Sequence, residues 1–265
     1  MSKRPSGKLE SRWTVVEGRS VHARAGVPAQ TDGGSMPLVL VHGIGVSSRY
    51  MVPTIERLAP HYRVYAPDLP GFGRSYKPPR ALNIGELADS LAAWMEAAGL
   101  RSAALLANSF GCQVVAELAV RHPERIEKAV LQGPTVDPAA RTARQQIWRL
   151  LRNATTDPPS HALNIARDYR ECGTRRLLGT VRYMLEDRIE EKLPRVRVPA
   201  LVVRGARDPI VPQRWAEEVS ALLPGGRLVV VPGAGHTMTY AAPLELARVV
   251  RPFLEETHAD EERLS

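Results

Sequence analysis

Short apolar runs alternating with amphipathic segments constrain this chain more than any other feature. Pro37-Leu38-Val39-Leu40-Val41 is continuously apolar, as a strand buried on both faces must be. The pattern returns at Tyr62–Ala66, Ala103–Ala107, Ala129–Gln132, Ala200–Val203 and Leu228–Val231. Between the runs lie segments of helical spacing, about Arg49–Leu58, Ile84–Ala98, Phe110–Arg121, Gln213–Leu223 and Pro243–Glu256. Strand and helix in strict alternation predict an α/β fold with a parallel sheet and helices on its faces. Ahead of them, Trp13–Glu17 and Val21–Ala25 alternate in polarity around Gly18-Arg19-Ser20, which predicts an antiparallel edge hairpin. Gly26 to Ser35 reads as a polar loop.

One stretch breaks the rhythm. From Thr135 to Arg197 the composition is helical, with no strand-like run and a break at Asp157-Pro158-Pro159. Lying between two core strands, it is expected to form a helical cap over the sheet. The expected division is a core of residues 1–134 and 198–265, with 135–197 inserted as the cap of a single catalytic domain. A chain of 265 residues can bury a large core without staples. Its two cysteines, Cys112 and Cys172, cannot make a disulfide framework, which fits a reducing compartment. The basic start, Met1 to Lys8, is followed by no apolar segment, and no run approaches 18 apolar residues. No secretory signal and no membrane partner are expected, and the expected location is cytoplasmic. The net charge is +8. The arginines are scattered and aromatics are only 5%, so no nucleic-acid partner is expected. The tail from Thr257 to Ser265 is charged and expected to fray.

The strongest local signal is Ala107-Asn108-Ser109-Phe110-Gly111, where an apolar strand runs straight through a serine into an apolar helix. A turn that sharp needs small residues two before and two after the serine, and Ala107 and Gly111 supply them. It lifts Ser109 above the sheet edge and leaves the Phe110 N–H at a helix N-terminus, where it can meet a developing oxyanion. The plainer reading is a serine capping a helix. Of seven histidines, His236 stands out, because it ends the Gly-rich loop Pro232-Gly233-Ala234-Gly235 after a strand. Ligands and catalytic groups gather at such strand ends. Between Ser109 and His236, Asp208 follows the strand Ala200–Val203 and can orient an imidazole; an Asp-Pro turn is its plain alternative. Asp137, after the strand Ala129–Gln132, is the rival acid. His42-Gly43-Ile44-Gly45 ends the first buried strand, where the Ile44 N–H would supply a second oxyanion donor. His42 reads as a structural hydrogen-bonder, and Asp68 to Ser75 as a structural loop.

Together and in this order, these motifs resemble the α/β-hydrolase superfamily from about Leu38 to Glu256. The match runs through His42–Gly45, Asp68–Ser75, the elbow at Ser109, Gly205–Pro212 and Gly233–His236. The resemblance implies a mostly parallel eight-stranded sheet flanked by helices, with a helical cap inserted after strand 6. It also implies no metal and no organic cofactor. Within the superfamily, dehalogenases and epoxide hydrolases carry aspartate at the elbow, and Ser109 points away from both. Asn108-Ser109-Phe110-Gly111 looks like the elbow of hydrolases that cleave carbon–carbon bonds in ring-fission products. Those tend to carry Gly-x-Gly-Pro-Gly after the oxyanion strand and Trp after the histidine. Here Gly45-Val46-Ser47 and Thr237 stand instead. Haloperoxidase or perhydrolase activity is a family side reaction.

The function expected is a serine hydrolase cleaving a carboxylic ester or related acyl bond. Ser109, Asp208 and His236 would be catalytic, with Ile44 and Phe110 forming the oxyanion hole. The alternatives are carbon–carbon hydrolysis with the same triad and a ligand sensor of slow turnover. The partner would be a small-molecule substrate. From Arg141 to Arg197, 12 Arg and one Lys face 7 acids, a local +6. That charge could steer an anionic substrate, although a solvated surface is the plainer reading. Trp148, Tyr169, Tyr183 and Met184 are expected to pack cap against core, and Cys112 to be a packing residue.

Overall fold

The fold comes from a computed structural model, which describes residues 8–28, 36–154 and 159–256. The first seven residues, most of the 26–35 loop, Asp157 and Pro158, and the tail from Thr257 lie outside the described residues. Eight strands form one sheet: β1 (Lys8–Val16), β2 (Arg19–Val27), β3 (Leu38–Val41), β4 (Val64–Pro67), β5 (Ala103–Asn108), β6 (Ile126–Gln132), β7 (Ala200–Gly205) and β8 (Arg227–Val231). Their order is β1-β2-β4-β3-β5-β6-β7-β8. β1 and β2 are antiparallel and β2 meets β4 antiparallel; every later pair is parallel. The eight-stranded, mostly parallel sheet is therefore as the sequence leads one to expect. The first two strands run several residues past the expected hairpin, because ladder pairing continues along an exposed edge where side-chain polarity carries little signal.

Strands β3, β4, β5 and β7 are buried at every residue. Helices cover both faces. Against one face pack α2 (Ile84–Ala97), α3 (Phe110–Arg121) and α8 (Gln213–Leu222); against the other pack α1 (Val52–Leu58) and α10 (Pro243–Glu255). Asn83 and Glu86 close a reciprocal capping box at the start of α2. Residues 49–51, expected as helix, form a 3-10 turn before α1.

Between β6 and β7 the chain makes α4 (Ala143–Ala154), α5 (Pro159–Cys172), α6 (Thr174–Glu186) and α7 (Ile189–Lys192). This insertion packs on α3, where the Gln113 amide donates to the Met184 carbonyl at 2.9 Å and to Asp187 Oδ2 at 3.0 Å. A short α9 (Met238–Ala241) follows His236. β3 lies between β4 and β5, so the chain leaves it in opposite directions. The crevice beyond the strands' carboxyl ends at such a switch point is where open α/β sheets bind ligands.

Candidate active site

Ser109 stands between β5 and α3 with φ 55° and ψ −120°, in the left-handed region that residues with a Cβ avoid. Its N–H donates to the Gln132 carbonyl on β6 at 2.9 Å, which ties the turn to the sheet. Its side chain caps nothing in α3, so the plain helix-cap reading is not what the structure shows. A Cβ on Gly111 would lie 2.6 Å from the Val41 carbonyl oxygen, which explains why only glycine lets α3 approach β3 so closely. The loop after β3 comes up against the same turn: a Cβ on Gly43 would lie 3.5 Å from Ser109 Cβ. Ile44 and Phe110 are thereby held on the two chain segments that flank Ser109. Phe110 is the first residue of α3, where helical N–H groups lack intrahelical partners.

His236 and Asp208 meet directly. His236 Nδ1 donates to Asp208 Oδ2 at 2.8 Å, and both groups are buried. The other Asp208 oxygen accepts the N–H groups of Ile210 and Val211 at 2.8 and 2.9 Å. His236 Nε2 is buried and has no hydrogen-bond partner among the described residues. β6 joins this pair to the elbow. Beyond holding the Ser109 N–H, Gln132 donates its amide to the His236 carbonyl at 3.0 Å and accepts from Asn108 Nδ2 at 2.5 Å. Gly133 follows at φ 60°, and a Cβ there would come within 3.0 Å of the His236 ring. Arg204 braces the acid from behind, donating to the carbonyls of Asp208 and Val211. Neither Gln132 nor Arg204 carries a local sequence signal, since each acts through its fold neighbours.

The rival acid is committed elsewhere. Asp137 pairs with Arg149 at 2.8 Å and Arg214 at 2.7 Å. Burial opposes its charge, but these guanidinium groups win and hold its carboxyl below the usual range. His42 is wholly buried; its Nδ1–H donates to the Gly43 carbonyl and its Nε2 accepts the Leu69 N–H. Burial lowers its pKa, which keeps it neutral and structural. Cys112 is buried and its thiol pKa is pushed far up by burial, so it packs rather than reacts.

A hydrogen-bonded Ser-His-Asp array joins the edge hairpin to the loop after β4. His22 Nδ1 donates to Asp68 Oδ2 at 2.8 Å, and its Nε2 accepts from Ser11 Oγ at 3.1 Å. Ser11 lies in regular strand β1 rather than at a helix N-terminus. Asp68 also accepts the N–H groups of Ser48 and Arg74, so this array works as a structural knot.

In the insertion, Tyr169 and Leu177 press on Gly45, within 2.6 and 3.0 Å of where a Cβ would stand. Met184 is buried in the core as expected. Trp148 is not: it is 62% exposed, beside exposed Ile147 and Leu151. No group of side chains among the described residues has the makings of a metal site. No described helix is long and apolar enough to cross a membrane.

Comparison with known proteins bears on the family and the fold. Among curated proteins, the pimeloyl-[acyl-carrier protein] methyl ester esterase of Pectobacterium carotovorum is 27% identical over 253 residues, covering 81% of this chain and 92% of that protein. Among solved structures, a membrane phospholipase A superposes with a TM-score of 0.78 at 24% identity, covering 93% of this chain and 86% of that one. The 2-hydroxy-6-oxo-6-phenylhexa-2,4-dienoate hydrolase of Rhodococcus sp. strain RHA1 gives 0.74 at 22% identity, over 95% of this chain and all of the other. At those identities the structures speak for the fold alone. The family model described as "Alpha/beta hydrolase family" matches residues 38–249, which include the elbow, the acid and the histidine. The chain belongs to the alpha/beta hydrolase family.

Proposed function

We propose that the chain is a serine hydrolase acting on a carboxylic ester or related acyl bond, with Ser109 as nucleophile, His236 as general base and acid, and Asp208 as the orienting acid. One observation carries this reading. His236 is fixed on Asp208 through Nδ1 and its buried Nε2 has no hydrogen-bond partner among the described residues, while Gln132 bonds both the His236 carbonyl and the N–H of the elbow serine. A buried ring nitrogen without a bond is costly unless it has work to do.

In this mechanism Ser109 Oγ attacks the substrate carbonyl and His236 Nε2 takes its proton. Asp208 holds the imidazole tautomer and stabilises the imidazolium that forms. The N–H groups of Ile44 and Phe110 receive the oxyanion. The imidazolium then protonates the leaving alcohol. Water attacks the acyl-enzyme with His236 as base, which frees the acid and regenerates Ser109. Helices α4 to α7 act as the cap, with residues 1–134 and 198–265 as the core. Two buried free cysteines fit a cytoplasmic location. The methyl ester esterase relative supports an ester as the bond cut.

The test is steady-state hydrolysis of short- and medium-chain p-nitrophenyl esters by wild type and Ser109→Ala. Repeated turnover lost in the variant supports the reading, and equal silence of both overturns ester hydrolysis as the main activity. A second reading, carbon–carbon hydrolysis with the same residues, is favoured by the Asn108-Ser109-Phe110-Gly111 elbow. Cleavage of a vinylogous diketone acid with little ester turnover would select it.

A further inference from the structure

The turn between α5 and α6 opens onto a cavity of about 430 Å³, closed on its other side by the strap Pro79–Ala81. Its lining includes Arg80, Arg175, Arg176 and Arg182, and no carboxylate. None of Ser109, Asp208, His236, Ile44 and Phe110 lines it. We propose that this cavity is an anion site that takes a phosphoryl-bearing ligand.

The four guanidinium groups are held in different ways: Arg176 is half-buried, whereas the Arg80 and Arg182 side chains are 61% and 75% exposed. Arg176 locks the strap by donating to the carbonyls of Pro78 at 2.9 Å and Arg80 at 3.1 Å, while its Nε is buried without a partner. Arg80 is held by both oxygens of Glu86, and Arg182 by Glu186 at 2.7 Å. Glu86 and Glu186 are not among the lining residues. The Arg175 side chain makes no hydrogen bond or ion pair with any described residue. The cavity also holds Gly173, the N-cap of α6, whose N–H is taken by the Tyr169 carbonyl, and Thr174, the first residue of the helix, where the dipole favours an anion. Packing keeps the walls together, since a Cβ on Gly179 would lie 2.9 Å from Ala81 Cβ.

A single carboxylate would use one guanidinium fork. Here the Arg175 side chain is free of bonds to described residues, and Arg80, Arg176 and Arg182 add positive charge around the same cavity while holding their own partners, which suits a dianionic group or two linked ones. The site also sits close to the proposed chemistry. Arg176 lies over Gly71 in the loop after β4, while its neighbour Leu177 presses on Gly45 of the oxyanion loop. An anion held by Arg176 would sit beside the segment that touches both loops, as the tail of a substrate or as a separate effector.

Titration calorimetry with inorganic pyrophosphate in about 50 mM salt tests the site without any turnover. Wild type is expected to bind with a submillimolar Kd that weakens steeply as salt rises. Arg175→Glu/Arg182→Glu should weaken it by about 10-fold or more, with an unchanged melting temperature as the control on folding. Arg101→Glu/Arg248→Glu makes the same change in net charge at exposed positions elsewhere, and should stay within about 2-fold of wild type. Absence of saturable heat up to about 10 mM, or equal weakening in both double variants, overturns the proposal. Two arms then separate the sources. Pyrophosphate competing only against an ester with a phosphorylated tail identifies the substrate's own tail. Pyrophosphate changing kcat for a neutral ester identifies an effector.

Discussion

A serine held at φ 55° and ψ −120° stores roughly 1–3 kcal/mol of backbone strain. The Ser109 N–H bond to Gln132 and the close contact at Gly111 keep it there. Such strain aims the side chain rather than stabilising the fold. Ser109→Ala should therefore lower kcat on p-nitrophenyl butyrate by at least about 10³-fold, with its melting temperature retained. Ser11→Ala, in the edge array, should keep wild-type kcat in the same assay. Gly133 is the other informative position. A Cβ there meets the His236 ring and sits on a positive-φ backbone. In Gly133→Ala the imidazole must shift by a few tenths of an ångström or more. The expected result is a kcat loss of about 10- to 100-fold with KM little changed. An unchanged kcat would mean that the ring position does not limit the reaction.

At the scale of elements, the insertion is latched to the loop after β3. Asp168 on α5 is buried, accepts from Ser47 Oγ at 2.9 Å and pairs with Arg49. Burial is the main influence on this carboxyl, raising its pKa against the pull of Arg49. Arg49→Ala would leave it buried and uncompensated, at a cost of about 3 kcal/mol read by urea unfolding, while Arg49→Ala/Asp168→Asn should recover part of that loss. Much of this architecture is legible in the sequence. Strands β3, β4, β5 and β7, and β6 from Ala129 on, show because burial on both faces demands an apolar run. The elbow and the Gly235-His236 turn show because their backbone tolerates few residue types. What stays hidden works through distance in the chain. Gln132 reaches the His236 carbonyl 104 residues on, and α9, with four residues, is too short to show periodicity. Trp148 misleads, because an aromatic in a helical pattern reads as core while α4 turns it outward.

At the scale of the whole molecule, one carboxylate joins the antiparallel edge to the parallel sheet. Asp68, just past β4, bonds His22 on β2, the Ser48 N–H after β3 and the Arg74 N–H in its own loop. Burial alone would raise its pKa. The bonds from His22, Arg74 and Ser48 outweigh burial and hold it down to about 2. The sign follows from linkage. A carboxyl with a folded-state pKa below its unfolded value adds stability above the unfolded value and loses it as pH falls through the folded one. The window is therefore from about pH 4 to about pH 2, and the amount is about 2 kcal/mol. Asp68→Asn should be less stable than wild type by at least that much at pH 7. The gap should narrow by about 2 kcal/mol as both are taken to pH 2, because the other carboxyls titrate alike in the two proteins. Urea unfolding at a series of pH values measures it. A gap that stays constant with pH would show that the ionised carboxylate contributes nothing, and that Asp68 holds the hairpin by hydrogen bonding that its amide can replace.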